Sequence, residues 1–330
     1  MIHRFYKYLL SNQVIFALFL VIFGWLLFQT RGIITSIFIA YIINAALLPV
    51  VRYLRKKGVP HFLSVFIPFI AIIIVIFMII FPLIPFIVDQ IKALLAGLPG
   101  YVKQAADISG LSVDANQIQS YVSREIGSIG SNAFSVTSKV FGGLFSTLTV
   151  LVVSFYLILY HDRFKQNIAQ LFHKDERERV VNTLSLVDDK LGAWLSGQIV
   201  LSLFIGIITW IALSAIGLPY AVPLAILAGI LEIVPTIGPI ISAIPAIVVA
   251  LTVSPPLAII VALIYFGIQM IENNLLVPKI MQRAVGLNPV IVILAVMIGA
   301  NLMGVIGALL AVPFVSFIMV LFRSLAEDTN

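Results

Sequence analysis

Apolar residues along this chain come in long unbroken runs, with little of the alternation that marks strands. Runs at 12–28, 33–51, 62–88, 145–160, 195–215 and 257–271 approach or exceed the roughly 20 residues that cross a 30 Å hydrocarbon core as a helix. They predict six full transmembrane helices. Arg31 and Gly32, between the first two runs, predict a tight turn. Pro68, Pro82 and Pro85 predict a kink or early end in the third.

Two further apolar stretches, 221–253 and 288–322, are interrupted instead. The first is broken by Glu232, Pro235, Thr236, Gly238 and Pro239, the second by the glycine-rich residues 299–307. An arm of about thirteen helical residues reaches only about 20 Å, short of a full crossing. Both stretches therefore read as re-entrant helical hairpins. In hydrocarbon such a break survives only where protein or a water-filled cavity meets the freed backbone groups. The fold class expected is an all-α polytopic membrane protein, with about six full transmembrane helices plus two broken hairpins.

The remaining segments are polar. Residues 89–142 carry Ile118, Val122, Ile126 and Ile129 at helical spacing, which predicts a small extracytoplasmic cap of short amphipathic helices, with a mobile loop as the alternative. In residues 161–194, Val180, Leu184, Val187, Leu191 and Trp194 mark a cytoplasmic amphipathic helix at the membrane surface or under the bundle. The chain thus divides into transmembrane helices at 1–88, the extracytoplasmic segment at 89–142, a fourth helix at 143–160, the amphipathic helix at 161–194 and a transport core at 195–330. Arg4 and Lys7 before the first run resemble a signal sequence, but the next run follows at once and predicts an uncleaved span.

Composition narrows the class. The chain is 61% hydrophobic and 10% charged, against roughly 25% charged in soluble domains. Its net charge of +6 is dispersed, which favours loops beside anionic lipid and argues against a nucleic-acid partner. Arg52, Arg55, Lys56 and Lys57 form the densest basic cluster. The positive-inside rule puts them in the cytoplasm and, by counting spans, both termini as well. There is no cysteine, which excludes thiol chemistry and disulfides. No phosphate-binding loop, zinc-protease motif or serine elbow is present, so neither an enzyme nor a cofactor is expected. The pair His161–Asp162 closes a span and reads as an interface feature.

A weak repeat relates the two hairpins. Gly217-Leu218 and Gly286-Leu287 stand 69 positions apart, as do Ile237-Gly238 and Ile306-Gly307, with Pro245 and Pro313 one step off register. Span parity gives the two halves opposite orientation. Inverted repeats with discontinuous helices are a transporter architecture.

The candidate chemistry centres on Glu232. A carboxylate amid apolar sequence is costly and marks a substrate or ion path by default; the bland alternative is a helix-tip carboxylate at a wetted rim. Thr236 adds a hydroxyl beside it, while Pro235, Gly238 and Pro239 set the shape of the tip. Glu272, Asn273 and Asn274 read as an interfacial cap or, alternatively, a cytoplasmic gate, and Gln269 one turn back extends the same face. Asn301 occupies the break of the second hairpin, opposite Glu232 in the proposed symmetry. Gly299, Gly304 and Gly307 allow close helix packing.

The segment 229–240, residues 271–281 with 285–289, and the ending 304–313 together resemble the autoinducer-2 exporter family of bacterial permeases, over essentially the whole chain. The resemblance points to Glu232, Pro235, Gly238, Pro239, Glu272, Asn273, Pro278, Gly304, Gly307 and Pro313, while Asn301 departs from the small or apolar residue more usual in the family. It implies a multi-pass protein of the bacterial plasma membrane with about eight spans, assembled as a homo-oligomer, with a pentamer among the expectations. It further implies secondary transport without ATP: export of a small polar solute such as a quorum-sensing signal, or exchange of sodium for protons. A passive channel or oligomeric pore, and a scaffold recruiting a partner through residues 180–194, stand as alternatives, with an intramembrane enzyme as a remote fourth.

Overall fold

A computed structural model describes residues 13–79, 145–234, 237–284 and 288–326, together with Phe81, Pro85, Phe86, Asp89, Gly100, Gly142, Gly143 and Gly286. Every regular element among them is helical. Five helices are long and apolar enough to cross a membrane, or six if one bent pair counts as a single span. The chain is an all-α polytopic membrane protein. The expected cap at 89–142 lies almost entirely outside the described residues.

The first helix, α1 (Gln13–Lys56), corrects the expected turn. It runs 44 residues through Arg31 and Gly32 without a break, about 66 Å at 1.5 Å per residue. A glycine inside a helix costs only about 1 kcal/mol relative to alanine, and eleven apolar residues flank it on one side (18–28). Lipid accepts that continuous apolar helix. With one crossing fewer before Arg52–Lys57, the inference that the N-terminus shares that cluster's side loses its premise. Helix α2 (His61–Ile79) likewise passes through Pro68. A proline removes one hydrogen bond, but the flanking turns keep theirs, so the helix does not end there.

Helix α3 (Phe145–Leu159) meets α4 (His161–Gln170) at a bend of 76°. A 3₁₀ turn at Lys174–Glu176 leads into α5 (Arg177–Ala215), 39 residues long. The expected amphipathic surface helix and the fifth span are therefore one continuous helix. The three-four apolar spacing from Val180 to Trp194 is real, but its face packs inside the protein: Val187, Leu191 and Trp194 join Ile42 and Ala45 of α1 and Leu310 and Val312 near the C-terminus.

Both hairpins form. The first consists of α6 (Ala221–Leu231) and α7 (Ile237–Val253). Ser254 caps the next helix, α8 (Pro255–Ile271), by accepting from Leu257 N, and two prolines fill its first positions, where a missing N–H costs nothing. A π-helical turn at Glu272–Leu276 joins α8 to α9 (Val277–Ala284). The second hairpin is α10 (Pro289–Ala326), broken at Met303 and Gly304, where φ of Gly304 is 63°.

The 69-residue repeat has a backbone counterpart. Gly217 and Gly286 end the helices preceding the two hairpins, with φ of 67° and 64°. A Cβ on Gly238 would strike the Leu231 carbonyl of the facing arm, and one on Gly307 would strike the Gly299 carbonyl. Corresponding glycines thus permit the same backbone-to-backbone contact in each hairpin.

Helix α5 is the mast of the bundle. Besides the cluster with α1 and α10, it supplies Leu213 to a core with Leu224, Val249 and Val261, and Leu201 and Ile205 to a core with Ala228 and Ile268. Helices α1, α2 and α3 close a fourth cluster around Val51, Val65, Phe69 and Leu151. Gly307→Ala should lower stability by about 1–3 kcal/mol, because its methyl has nowhere to go. Gly267→Ala, where a Cβ meets nothing within 4 Å, should leave stability unchanged or raise it by about 1 kcal/mol. Thermal unfolding of the purified protein in detergent checks both.

Candidate functional site

Two glycines decide where the carboxylate goes. Helix α6 crosses α5 at Gly206 and Gly229: a Cβ on Gly229 would lie 2.9 Å from the Ser202 carbonyl and 3.4 Å from Gly206 Cα. Two helices this close must lack side chains at the crossing. One turn beyond it, α6 ends, and the chain turns at Glu232. One turn before Ser202, α5 presents Gln198. Gln198 Nε2 donates to the main-chain oxygen of Glu232 at 2.6 Å, so the carbonyl freed by the helix break has a fixed partner.

Glu232 is fully buried, as is Gln198. Gly238 lets α7 fold back over the same turn: its missing Cβ would sit 2.9 Å from Glu232 N. Pro239 is buried beside it, and its carbonyl accepts from the Ser242 hydroxyl at 3.0 Å. Pro235 and Thr236 lie outside the described residues.

Glu272 reaches Glu232 from α8. The π-helical turn inserts one extra residue into the helix, a device common at functional sites. Within it Glu272 is 1% exposed, while Asn273 and Asn274 face outward. The carboxyl groups of Glu232 and Glu272 lie close enough for their charges to couple. Both side-chain oxygens of Glu232 and Oε2 of Glu272 are buried without a hydrogen-bond donor, as is Gln198 Oε1. The site is therefore a buried cluster of acceptors. Two ionised carboxylates have no hydrogen to share, so a bond between them needs one proton, and a close ionised pair needs a cation.

The other expected residues divide. Gln269 is half-buried, donates to Asn273 Oδ1 at 3.4 Å and also interacts with Glu272. Asn274 Nδ2 bonds the Met270 carbonyl at 2.8 Å, a local cap. Pro278 is exposed, and Pro313 is buried inside α10. Asn301 and Gly304 are exposed at the tip of the second hairpin, so Asn301 shares Glu232's place in the repeat but not its burial. Gln198 escaped the sequence reading. An amide one turn after Trp194 looks like helix surface, and only the glycine crossing turns it inward.

A second polar group was also missed. Close packing of Gly192 on the Ala45 carbonyl, 2.6 Å from a would-be Cβ, sets Asp188 beside Tyr41, each one turn earlier. Tyr41 Oη donates to Asp188 Oδ1 at 2.7 Å. Asp188 Oδ2 pairs with Lys165 Nζ and lies 3.2 Å from His161 Nε2. His161 Nδ1 lies 3.5 Å from Asn44 Nδ2, and Lys165 donates to Ser185 Oγ at 3.0 Å. All four of Asn44, His161, Lys165 and Asp188 are buried. The cluster bolts α4, just past the 76° bend, to α1 and α5. His161 belongs to it and Asp162, exposed, does not.

The whole-chain comparisons agree with this architecture. The chain matches the description "AI-2E family transporter" over residues 14–327. Two relatives from Bacillus subtilis (strain 168), each named "Putative transport protein", align along most of their length. YrrI is 29% identical over 315 residues, 90% of this chain and 87% of the relative. YueF is 27% identical over 298 residues, 84% and 80%. A relative from Escherichia coli (strain K12), YhhT, is 33% identical over 124 residues, 37% of this chain. The chain belongs to the AI-2E transporter family.

Asp188→Ala should cost about 3–5 kcal/mol, because it strands the Lys165 ammonium in a buried site. Asp162→Ala, at the surface, should change stability by less than about 0.5 kcal/mol. Thermal unfolding in detergent distinguishes them.

Proposed function

We propose that this member of the AI-2E transporter family is a secondary transporter whose Glu232–Glu272 pair holds either a proton or a monovalent cation, and so exchanges one for the other. The observation that carries the reading is the approach of two buried carboxyls, with no hydrogen-bond partner for either oxygen of Glu232 or for Oε2 of Glu272. In a low-dielectric site such a pair is stable with one proton bound, or with both groups ionised around a cation, and unfavourable with neither. Binding one species therefore displaces the other, which is the requirement for exchange.

The chemistry of the site favours sodium over a neutral polar solute. A solute rich in hydroxyls needs donors as well as acceptors. One of the two amide hydrogens of Gln198 is already given to the Glu232 carbonyl, which leaves the site poor in donors. A cation needs oxygen atoms alone, and two carboxylates with the Gln198 amide oxygen provide them. The absence of a phosphate-binding loop from the sequence supports a gradient over nucleotide as the energy source. We assign the protein to a bacterial plasma membrane with Arg52, Arg55, Lys56 and Lys57 on the cytoplasmic face.

The test uses the full chain in sealed liposomes with an acidic lumen and a trapped pH dye. Addition of external sodium should alkalinise the lumen as protons leave. Glu232→Gln and Glu272→Gln, which keep shape but cannot ionise, should each slow that exchange by about tenfold or more. Exchange at the wild-type rate in both variants would remove the carboxyl pair from the mechanism.

A further inference from the structure

Thr209 keeps its hydroxyl to itself. A threonine in a helix ordinarily gives that hydrogen to a carbonyl three or four residues back. Thr30, Thr35, Thr147, Thr149, Thr183 and Thr252 all do so. Thr209, completely buried, leaves its hydroxyl without a partner. Tyr265 does the same on another helix: it is 7% exposed, and its hydroxyl is buried with no partner. A buried tyrosine usually finds one.

These two hydroxyls sit on matching stripes. On α5, Gln198, Ser202, Ile205 and Thr209 follow a spacing of four, three and four, which is one face of a helix. On α8 and its π-helical turn, Val261, Tyr265, Ile268 and Glu272 follow the same spacing, and all four are buried. Three levels fix how the stripes meet. Gln198 holds the turn of Glu232, which faces Glu272. Ile205 and Ile268 share one apolar cluster with Leu201 and Ala228. Leu213 shares the next with Val261 and Tyr265. The helices run antiparallel, and the register sets Thr209 level with Tyr265. Seven residues separate that level from Ser202 and from Glu272, about 10 Å of helix. The Ser202 hydroxyl, beside the carboxyl level, is also buried without a partner.

We propose that Thr209 and Tyr265 form a second station on the transport path, one that binds a partly hydrated monovalent cation or hydronium through neutral oxygens. The apolar layer of Ile205 and Ile268 separates it from the carboxyl pair and acts as a gate. This rests on the exchange reading given above and adds the route by which the ion reaches the carboxyls. Hydroxyl oxygens hold a cation without trapping it, as a relay requires. A layer of isoleucine one side chain thick stops a hydrated ion until the helices part, which keeps the exchange coupled.

A chain without native cysteine allows a test that needs no knowledge of the substrate. Thr209→Cys and Ser202→Cys flank the proposed gate, whereas Leu203→Cys and Ile211→Cys replace lipid-exposed side chains of the same helix. The full-length variants, in liposomes, are treated with a cationic, membrane-impermeant methanethiosulfonate. Thr209→Cys should react about tenfold faster than the two lipid-facing controls, since only a water path carries the charged reagent there. Adding Ile205→Ala should open Ser202→Cys to the same side of the membrane. In the sodium-exchange assay, Thr209→Val and Tyr265→Phe should slow turnover about fivefold with the half-saturating sodium concentration unchanged, because the carboxyl site stays intact. If Thr209→Cys reacts no faster than the controls in a folded protein, the second station does not exist. If Glu232→Gln loses exchange while Thr209→Val and Tyr265→Phe keep the wild-type rate, the station falls and the carboxyl reading stands. If Glu232→Gln exchanges normally while Thr209→Cys reacts rapidly, the carboxyl reading falls and the water path stands.

Discussion

A main-chain carbonyl released where a helix stops inside a membrane protein must be met, and here Gln198 meets that of Glu232. Left alone in hydrocarbon, such a group costs several kcal/mol. The bond therefore ties the broken hairpin to the longest helix of the C-terminal half. It also fixes the carboxylate within one residue of the tie. The rest of the site follows: α6 approaches α5 because Gly206 and Gly229 lack side chains, α7 folds back because Gly238 does, and α8 brings Glu272 to the space that remains.

Polar groups elsewhere obey the same accounting, with a different outcome. Asp188 accepts from Tyr41, pairs with Lys165 and touches His161, so its charge is surrounded by compensating partners. Neither oxygen of Glu232 nor Oε2 of Glu272 has a hydrogen-bond partner. A satisfied buried ion is architecture, whereas an unsatisfied pair is what the exchange proposed above is built on. The contrast separates two clusters that look alike in sequence, each being a few charged residues beside an apolar run.

Much of this was legible before any coordinates. Glycines and prolines clustered within a few residues announced both hairpins, because a continuous helix carries one such residue, as α1 does at Gly32 and α2 at Pro68, more readily than several together. The isolation of Glu232 among apolar residues announced its burial. What could not be read was which helices continue. Arg31 and Gly32 look like a turn only if a helix must end where hydrocarbon does; α1 simply runs on for 44 residues. The apolar stripe ending at Trp194 has the period of a surface helix, and period alone does not say whether lipid or protein covers it. Gln198 and Asp188 gained their roles from Gly229 and Gly192 at the crossings, whose partners Ser202 and Ala45 lie 27 and 147 positions away in the chain. No local pattern encodes that distance.

Two of the glycines with positive φ, Gly217 and Gly286, carry a mechanical consequence. Each stands between a long helix and a hairpin whose own arms touch backbone to backbone, with no side chain between them to deform. Torque applied to such a hairpin cannot be absorbed inside it. Rotation, if the hairpin rotates, falls on the pivot residue, and the unit swings like a rigid paddle on a pin.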